Sequence, residues 1–228
     1  MTPGSSFGAV LSRIGEIQAP LSAAESVLIG LVAFIAVTLQ AIWLIVRHVN
    51  TIAHEGAHAI AGSAIGRKIE YVTFKTIGEG VTKPSGGKLP GQVTIGIVGY
   101  LGPSLFGLGA AKLIKIGHSV AVLWLTLLLL VLLLFVLRKL FSFVAVLATA
   151  AVVFLVARYG SVGADSAVAY LVAWFLLLSG VRVVLEDNLD AGDAQILAGM
   201  TYIWRGFWVL LWLAGSIAAV AIGGALLV

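Results

Sequence analysis

The 228-residue chain is 61% hydrophobic and only 11% charged, with a mean hydropathy of +1.11, which excludes an ordinary soluble domain and indicates an integral, multi-pass membrane protein in contact with the lipid bilayer. It has no cysteine, so disulfides and thiolate metal sites are excluded and any metal must be held by His, Asp or Glu. The net charge of +4 comes from Lys and Arg placed singly or in pairs between apolar runs, the pattern of loop anchors beside a membrane, and nucleic acid is not an expected partner.

A polar segment covers residues 1–26. The apolar run from Val27 to Val46 follows; it is too long for a secretory signal, has no small-residue cleavage site after it, and is expected to stay as a transmembrane helix. Arg47, His48 and Asn50 end it. Thr51 to Gly66 reads as a second, short span. Residues 67–92 form the long polar stretch, in which "IEYVTF" reads as a strand, "GEG" as a turn and "VTK" as a returning strand before the loop "PSGGKLPG". Val93 to about Ala111 gives a third span, whose "GYLGPSLFG" signals close helix packing or a break. "SVAVLWLTLLLLVLLLFVL" and "LFSFVAVLATAAVVFLVA" follow as a tight pair separated by Arg138 and Lys139. Ser166 to Leu185, the acidic segment "EDNLDAGD" and a last span from Gly206 to Val228 complete the chain. The expected fold is an all-α polytopic membrane protein of about six or seven transmembrane helices, a single domain over residues 1–228 with a small β-hairpin at the membrane surface.

Counting Lys and Arg on alternate sides of these spans puts Arg13, Arg67, Lys68, Lys75, Lys83, Lys88, Arg138, Lys139 and Arg205 on one side and Arg47, Lys112, Lys115 and Arg158 on the other. The hairpin side is therefore expected to be cytoplasmic, and it also receives the end of the second span, the start of the third and the acidic segment.

His54, Glu55 and His58 spell HExxH. On a helix, positions i and i+4 lie on one face, so two imidazoles can share one zinc ion while the glutamate serves as general base toward its water. With four histidines and six glutamates in the chain, chance produces this pattern in roughly two of a thousand such sequences. The alternative, two buried polar histidines bonded to one another, is weakened by the setting, because an ionisable group within a membrane span costs on the order of 3 kcal/mol. Gly56 points the same way, since a helix-interior glycine costs about 1 kcal/mol relative to alanine and normally has a packing or access reason.

A catalytic zinc has three protein ligands, so the third must come from elsewhere. The acidic segment offers Glu186, Asp187, Asp190 and Asp193; any one of them also fits a solvated loop or a helix cap. Asp193 is preferred because it opens the apolar "AQILAGMTYIW" at the membrane boundary, and Asp190 is second. His48 and His118 read as interfacial histidines at helix ends, and Trp43, Tyr159 and Trp204 as interfacial anchors. "PSGGK" is not a phosphate loop, because Thr82 stands where a glycine is required and Leu89 where Ser or Thr is.

These motifs together resemble the site-2 protease family of intramembrane zinc metalloproteases, in its compact bacterial branch without a PDZ domain. The resemblance rests on "AHEGAHAIAG", "GRKIEYVTF", "GYLGPSLFG" and "GDAQILAGMTYIW", in that order, over about a third of the chain. It implies zinc held by His54, His58 and Asp193, Glu55 as the base, a transmembrane protein substrate and a bacterial cytoplasmic membrane. It also implies a substrate path along the hairpin, for which Ile69, Tyr71 and Thr73 on the first strand and Gly102 and Pro103 on the next helix are the candidate contacts. Ala57 stands where many members have glycine, and "LDG" is only approximated by Leu189, Asp190, Ala191 and Gly192, which leaves Asp190 and Asp193 both open. The competing classes are a metal or proton transporter, a scaffold with a degenerate site, and a hydrolase of lipids or prenylated tails. A transporter calls for polar groups in several spans, whereas the runs after Lys115 are nearly free of charge apart from Arg182; a lipid hydrolase calls for a soluble lobe. Nothing in the sequence indicates an oligomeric state.

Overall fold

The computed structural model describes residues 13–76, 79–186 and 192–228. In chain order these form α1 (Ala23–Thr38), α2 (Gln40–Ala64), β1 (Ile69–Thr76), β2 (Glu79–Pro84), α3 (Leu89–Lys115), α4 (Ser119–Leu134), α5 (Leu140–Tyr159), α6 (Val162–Leu185), α7 (Asp193–Thr201) and α8 (Arg205–Leu227). The result is an all-α membrane protein with one small antiparallel hairpin. Helices α3, α5, α6 and α8 are long and apolar enough to cross a membrane, and α1 and α2 pass the same test only as a pair bent by 100°, the form of a broken span or a re-entrant loop. Helix α4 is as apolar but has only 16 residues, about 24 Å of rise.

Local signals explain several boundaries. Ser22 caps α1 in a reciprocal capping box with Glu25. Gly66, at φ +77°, lets the chain leave α2 in a left-handed turn, in which Arg67 N–H bonds back to Gly62 O at 2.9 Å.

The first two spans differ from expectation. The apolar run Val27 to Val46 is not one helix, because it breaks at Leu39 with a 100° bend. The HExxH segment is not a short span of its own but the second half of the 25-residue α2. No glycine or proline marks this break; it is held from outside. Arg182 of α6 donates to the carbonyls of Val37 at 2.5 Å and Thr38 at 3.0 Å, which face the break, and to Gln40 Oε1 at 2.5 Å. Backbone groups freed inside a membrane need such partners.

Helix α3 is the hub and packs against α2, α6 and α8. Its small residues permit this: a Cβ on Gly102 would overlap the Ala57 methyl, and one on Gly107 would meet the Leu177 backbone nitrogen at 2.8 Å.

The two ends of the bundle carry different groups. At one, Gln18 N–H bonds to Gly117 O at 2.8 Å, Leu21 N–H to the Tyr170 hydroxyl at 3.2 Å, and Arg13 pairs with Asp165. At the other lies the hairpin. Arg13 is therefore opposite the hairpin, while Arg47 lines the cavity on the hairpin side; the sides expected for these two are exchanged. The excess of Lys and Arg at the hairpin end survives the exchange.

The hairpin pairs Tyr71 with Lys83, Val72 with Thr82, Thr73 with Val81 and Phe74 with Gly80. Its outer β1 edge is occupied. Val72 N–H donates to Val136 O at 2.8 Å and Val72 O accepts from Arg138 N–H at 3.2 Å, and Phe74 N–H donates to the Ser142 hydroxyl at 2.7 Å. Buried Val72 and Phe74 join the main hydrophobic core, which fixes the hairpin to the α4–α5 junction.

Candidate metal centre

Among the helices α2 is the most clearly two-faced, and Asn50, Thr51, His54, Glu55 and His58 share the stripe that lines one cavity. This periodicity places His54 and His58 one turn apart. Asp193 meets them from α7. Gly192, not Asp193, occupies the N-cap of that helix, which leaves the Asp193 carboxylate free to point across at the histidines.

The three donor atoms converge. His58 Nε2 lies 3.0 Å from His54 Nε2 and 3.1 Å from Asp193 Oδ2, and His54 Nε2 lies 3.5 Å from the same oxygen. Ligands at the 2.0–2.1 Å of zinc–nitrogen and zinc–oxygen bonds in a tetrahedron sit roughly 3.3 Å apart, so the set fits zinc closely. It is the one group of three or more His, Asp or Glu side chains with this convergence among the described residues. His58 Nδ1 donates to Ile95 O at 2.9 Å, which fixes the tautomer and leaves Nε2 with its lone pair toward the other donors. A Cβ on Gly99 would overlap the His58 ring, so α3 presses against the imidazole and sets its angle. Tyr100 meets His54 edge-on at 4.8 Å and stacks on Trp212 at 4.3 Å, supporting the second imidazole in a similar way.

Glu55 is buried, 4% exposed, and its carboxylate is oriented by the hairpin. The Thr82 hydroxyl lies 2.6 Å from Glu55 Oε2 and 3.1 Å from Glu55 O, and a Cβ on Gly80 would overlap the carboxylate. The cavity, about 830 Å³ in volume, includes His54, Glu55, His58 and Asp193 together with Gly80, Val81, Thr82 and Pro84 of β2.

Other expected residues are not part of this donor set. Asp190 lies outside the described residues. Glu186 is engaged by Arg182 at 2.6 Å and by the Trp43 indole N–H at 2.8 Å; Trp43, fully buried, is thus not an interfacial anchor. His48 bonds to Ile45 O within its own helix, and His118 precedes α4. Of the candidate substrate contacts, Ile69, Tyr71, Thr73, Gly102 and Pro103 are absent from the cavity lining. The first three lie on the strand whose outer edge is already paired, and Gly102 and Pro103 are buried in the packing of α3. Three residues escaped the sequence reading. Asn50 carried a signal, its spacing of four before His54. Thr82 and Tyr100 carried none, because their roles depend on how the hairpin and α8 pack.

A family model described as peptidase M50B-like matches residues 27–223. No curated protein and no solved structure matches the chain.

Proposed function

The chain belongs to the peptidase M50B-like family, which makes it a metalloprotease of the membrane, and we propose that it is an intramembrane zinc metalloprotease cutting transmembrane or membrane-proximal segments of protein substrates. The observation that carries this reading is the convergence of His54, His58 and Asp193 beside buried Glu55 in one cavity.

His54 and His58 through Nε2 and Asp193 through Oδ2 would hold the zinc. Bound there, zinc supplies Lewis-acid polarisation of the peptide carbonyl and brings the pKa of water toward about 7. The remaining chemistry belongs to the protein. Glu55 accepts the proton of the attacking water and passes it to the leaving amine. The Thr82 hydroxyl holds the carboxylate in place at 2.6 Å.

A substrate helix must unwind before its carbonyls can be attacked, and the extended segment then needs hydrogen-bond partners. β2 suits this role better than β1. In an antiparallel ladder, residues whose backbone groups point away from the partner strand alternate with those that pair. Val72 and Phe74 bond outward to Val136, Arg138 and Ser142, so Thr82 and Gly80 opposite them direct their own N–H and C=O outward along the β2 edge. That edge borders Glu55. The substrate path therefore runs by strand addition along β2 rather than along the β1 residues Ile69, Tyr71 and Thr73. The excess of Lys and Arg at the hairpin end supports a cytoplasmic position for the site.

The test uses the cysteine-free background. A purified preparation should cleave a model transmembrane peptide, and Glu55→Gln should slow cleavage by about 10²–10⁴-fold. A single cysteine at Val81, which lines the cavity, should cross-link to a cysteine near the scissile bond, and one at Tyr71 should not. Cleavage that survives in Glu55→Gln would refute the proposed base.

A further inference from the structure

Asn50 lies one turn before His54 on the stripe of α2 that faces the cavity, and it is 1% exposed. Its carboxamide is held at one end. The Ser179 hydroxyl of α6 lies 2.9 Å from Asn50 Oδ1, nearer than its other acceptor, Leu176 O, at 3.4 Å. Ser179 is itself fully buried. The other end of the carboxamide, Nδ2, has no hydrogen-bond partner among the described residues. Asn50 lines the cavity, so this donor is open to the space a ligand would enter, and a ligand group that accepts a hydrogen bond there finds a partner already fixed in orientation.

The chemistry of the wall narrows that ligand. A metal ion is excluded, since the open end of the carboxamide carries hydrogens. A carboxylate or phosphate would be drawn to Arg47 or Arg67, which line the same cavity, rather than to a neutral amide. A peptide carbonyl suits a neutral, fixed N–H donor, and unwinding a substrate helix exposes such carbonyls.

We propose that Asn50 is a substrate-positioning residue whose Nδ2–H donates a hydrogen bond to a backbone carbonyl of the bound segment next to the scissile bond, with Ser179 fixing the orientation of the carboxamide. The proposal rests on the protease reading above. A segment held at β2 on one side and at Asn50 on the other would be gripped across the zinc ligands. The bond forms as the substrate binds and persists through the reaction, so its loss weakens binding more than turnover. One neutral hydrogen bond predicts an increase in KM of roughly 3- to 10-fold with kcat within about 3-fold of wild type. Ser179→Ala should give a smaller increase, because the donor remains but turns freely.

The decisive experiment pairs enzyme variants with a model transmembrane peptide in which single carbonyls around the cleavage site are replaced by thiocarbonyls, which accept hydrogen bonds poorly. In the wild type, one position should raise KM by roughly 3- to 10-fold. In Asn50→Leu that same replacement should have no further effect, and Asn50→Ser, which keeps a hydroxyl toward Ser179, should behave alike if the leucine variant does not fold. Zinc content and thermal unfolding should stay at wild-type levels in Asn50→Ser. A thiocarbonyl penalty of equal size in wild type and both variants would overturn the proposal while leaving the protease reading intact. A tighter-binding thioamide would also overturn it, since the carboxamide would then be presenting its oxygen to a substrate N–H. Failure of the wild type to bind or cut any peptide would refute both readings.

Discussion

Two methyl groups added near the HExxH segment should have opposite consequences. In Gly99→Ala the new Cβ overlaps the His58 ring, Cε1 and Nε2 most severely, so the ring must move. The ring is the end of a side chain and can swing aside, so the fold should absorb the methyl at the low end of the roughly 1–3 kcal/mol typical of overpacking. The swing, however, breaks the 2.9 Å bond from His58 Nδ1 to Ile95 O and removes Nε2 from its place 3.1 Å from Asp193 Oδ2. Loss of such an outer-shell bond costs about 10–100-fold in metal affinity, equivalent to about 1.4–2.8 kcal/mol. In Gly56→Ala, by contrast, nothing lies within 4 Å of the new Cβ, and removing a helix-interior glycine should stabilise the protein by roughly 0.5–1 kcal/mol. The assay is zinc affinity by competition with a fluorescent chelator, alongside thermal unfolding of the metal-free protein in detergent. Zinc affinity within about 3-fold of wild type in Gly99→Ala would refute the claim that α3 sets the His58 ring. If Gly56→Ala is stable and zinc-loaded but slow, Gly56 serves substrate approach; if it cleaves normally, Gly56 has no such role.

Three further outcomes follow from the structure. Thr82→Val keeps the side-chain shape but removes the hydroxyl on Glu55 Oε2; a hydrogen bond to a charged group is worth about 1.5–3 kcal/mol, so kcat should fall roughly 10–100-fold with zinc content unchanged. Arg182→Ala strands the carbonyls of Val37 and Thr38 at the α1–α2 break and should cost about 2 kcal/mol, lowering the unfolding midpoint by about 4–8 °C in a thermal melt. Ser142→Ala removes the hydroxyl that bonds Phe74 N–H and should loosen the hairpin, seen as faster backbone hydrogen exchange in β1 with α3 and α6 unaffected.

The sequence revealed those features that depend on local pattern. HExxH, the alternation of the hairpin, and the glycines of "GYLGPSLFG" each follow from one stretch of chain, and the structure places the motif helix and α3 in contact through Gly99 and Gly102. Features that depend on distant partners were hidden. The break at Leu39 interrupts a continuous apolar run with no glycine or proline, because the groups that hold it belong to Arg182 on α6. β1 and β2 carry similar alternation, and only the docking of Val72 on Val136 and Arg138 decides which edge faces the cavity. Asp193 is the preferred third ligand from sequence, with a helix cap as its alternative reading, and in the structure Gly192 takes the cap position. Arg13 and Arg47 were assigned to the wrong ends for the same reason as the break, since a helix that bends by 100° does not carry its charges across the membrane.

The central claim is that His54, His58 and Asp193 hold one zinc ion for Glu55 to use. Elemental analysis of purified wild type, His54→Ala, His58→Ala, Asp193→Ala, Asp190→Ala and Glu55→Gln, each also assayed on a model transmembrane peptide, tests it directly. The structure predicts about one zinc per chain in wild type, Asp190→Ala and Glu55→Gln, and loss of zinc in the other three, with Glu55→Gln loaded but inactive. Stoichiometric zinc in Asp193→Ala, or its loss in Asp190→Ala, would contradict the ligand set.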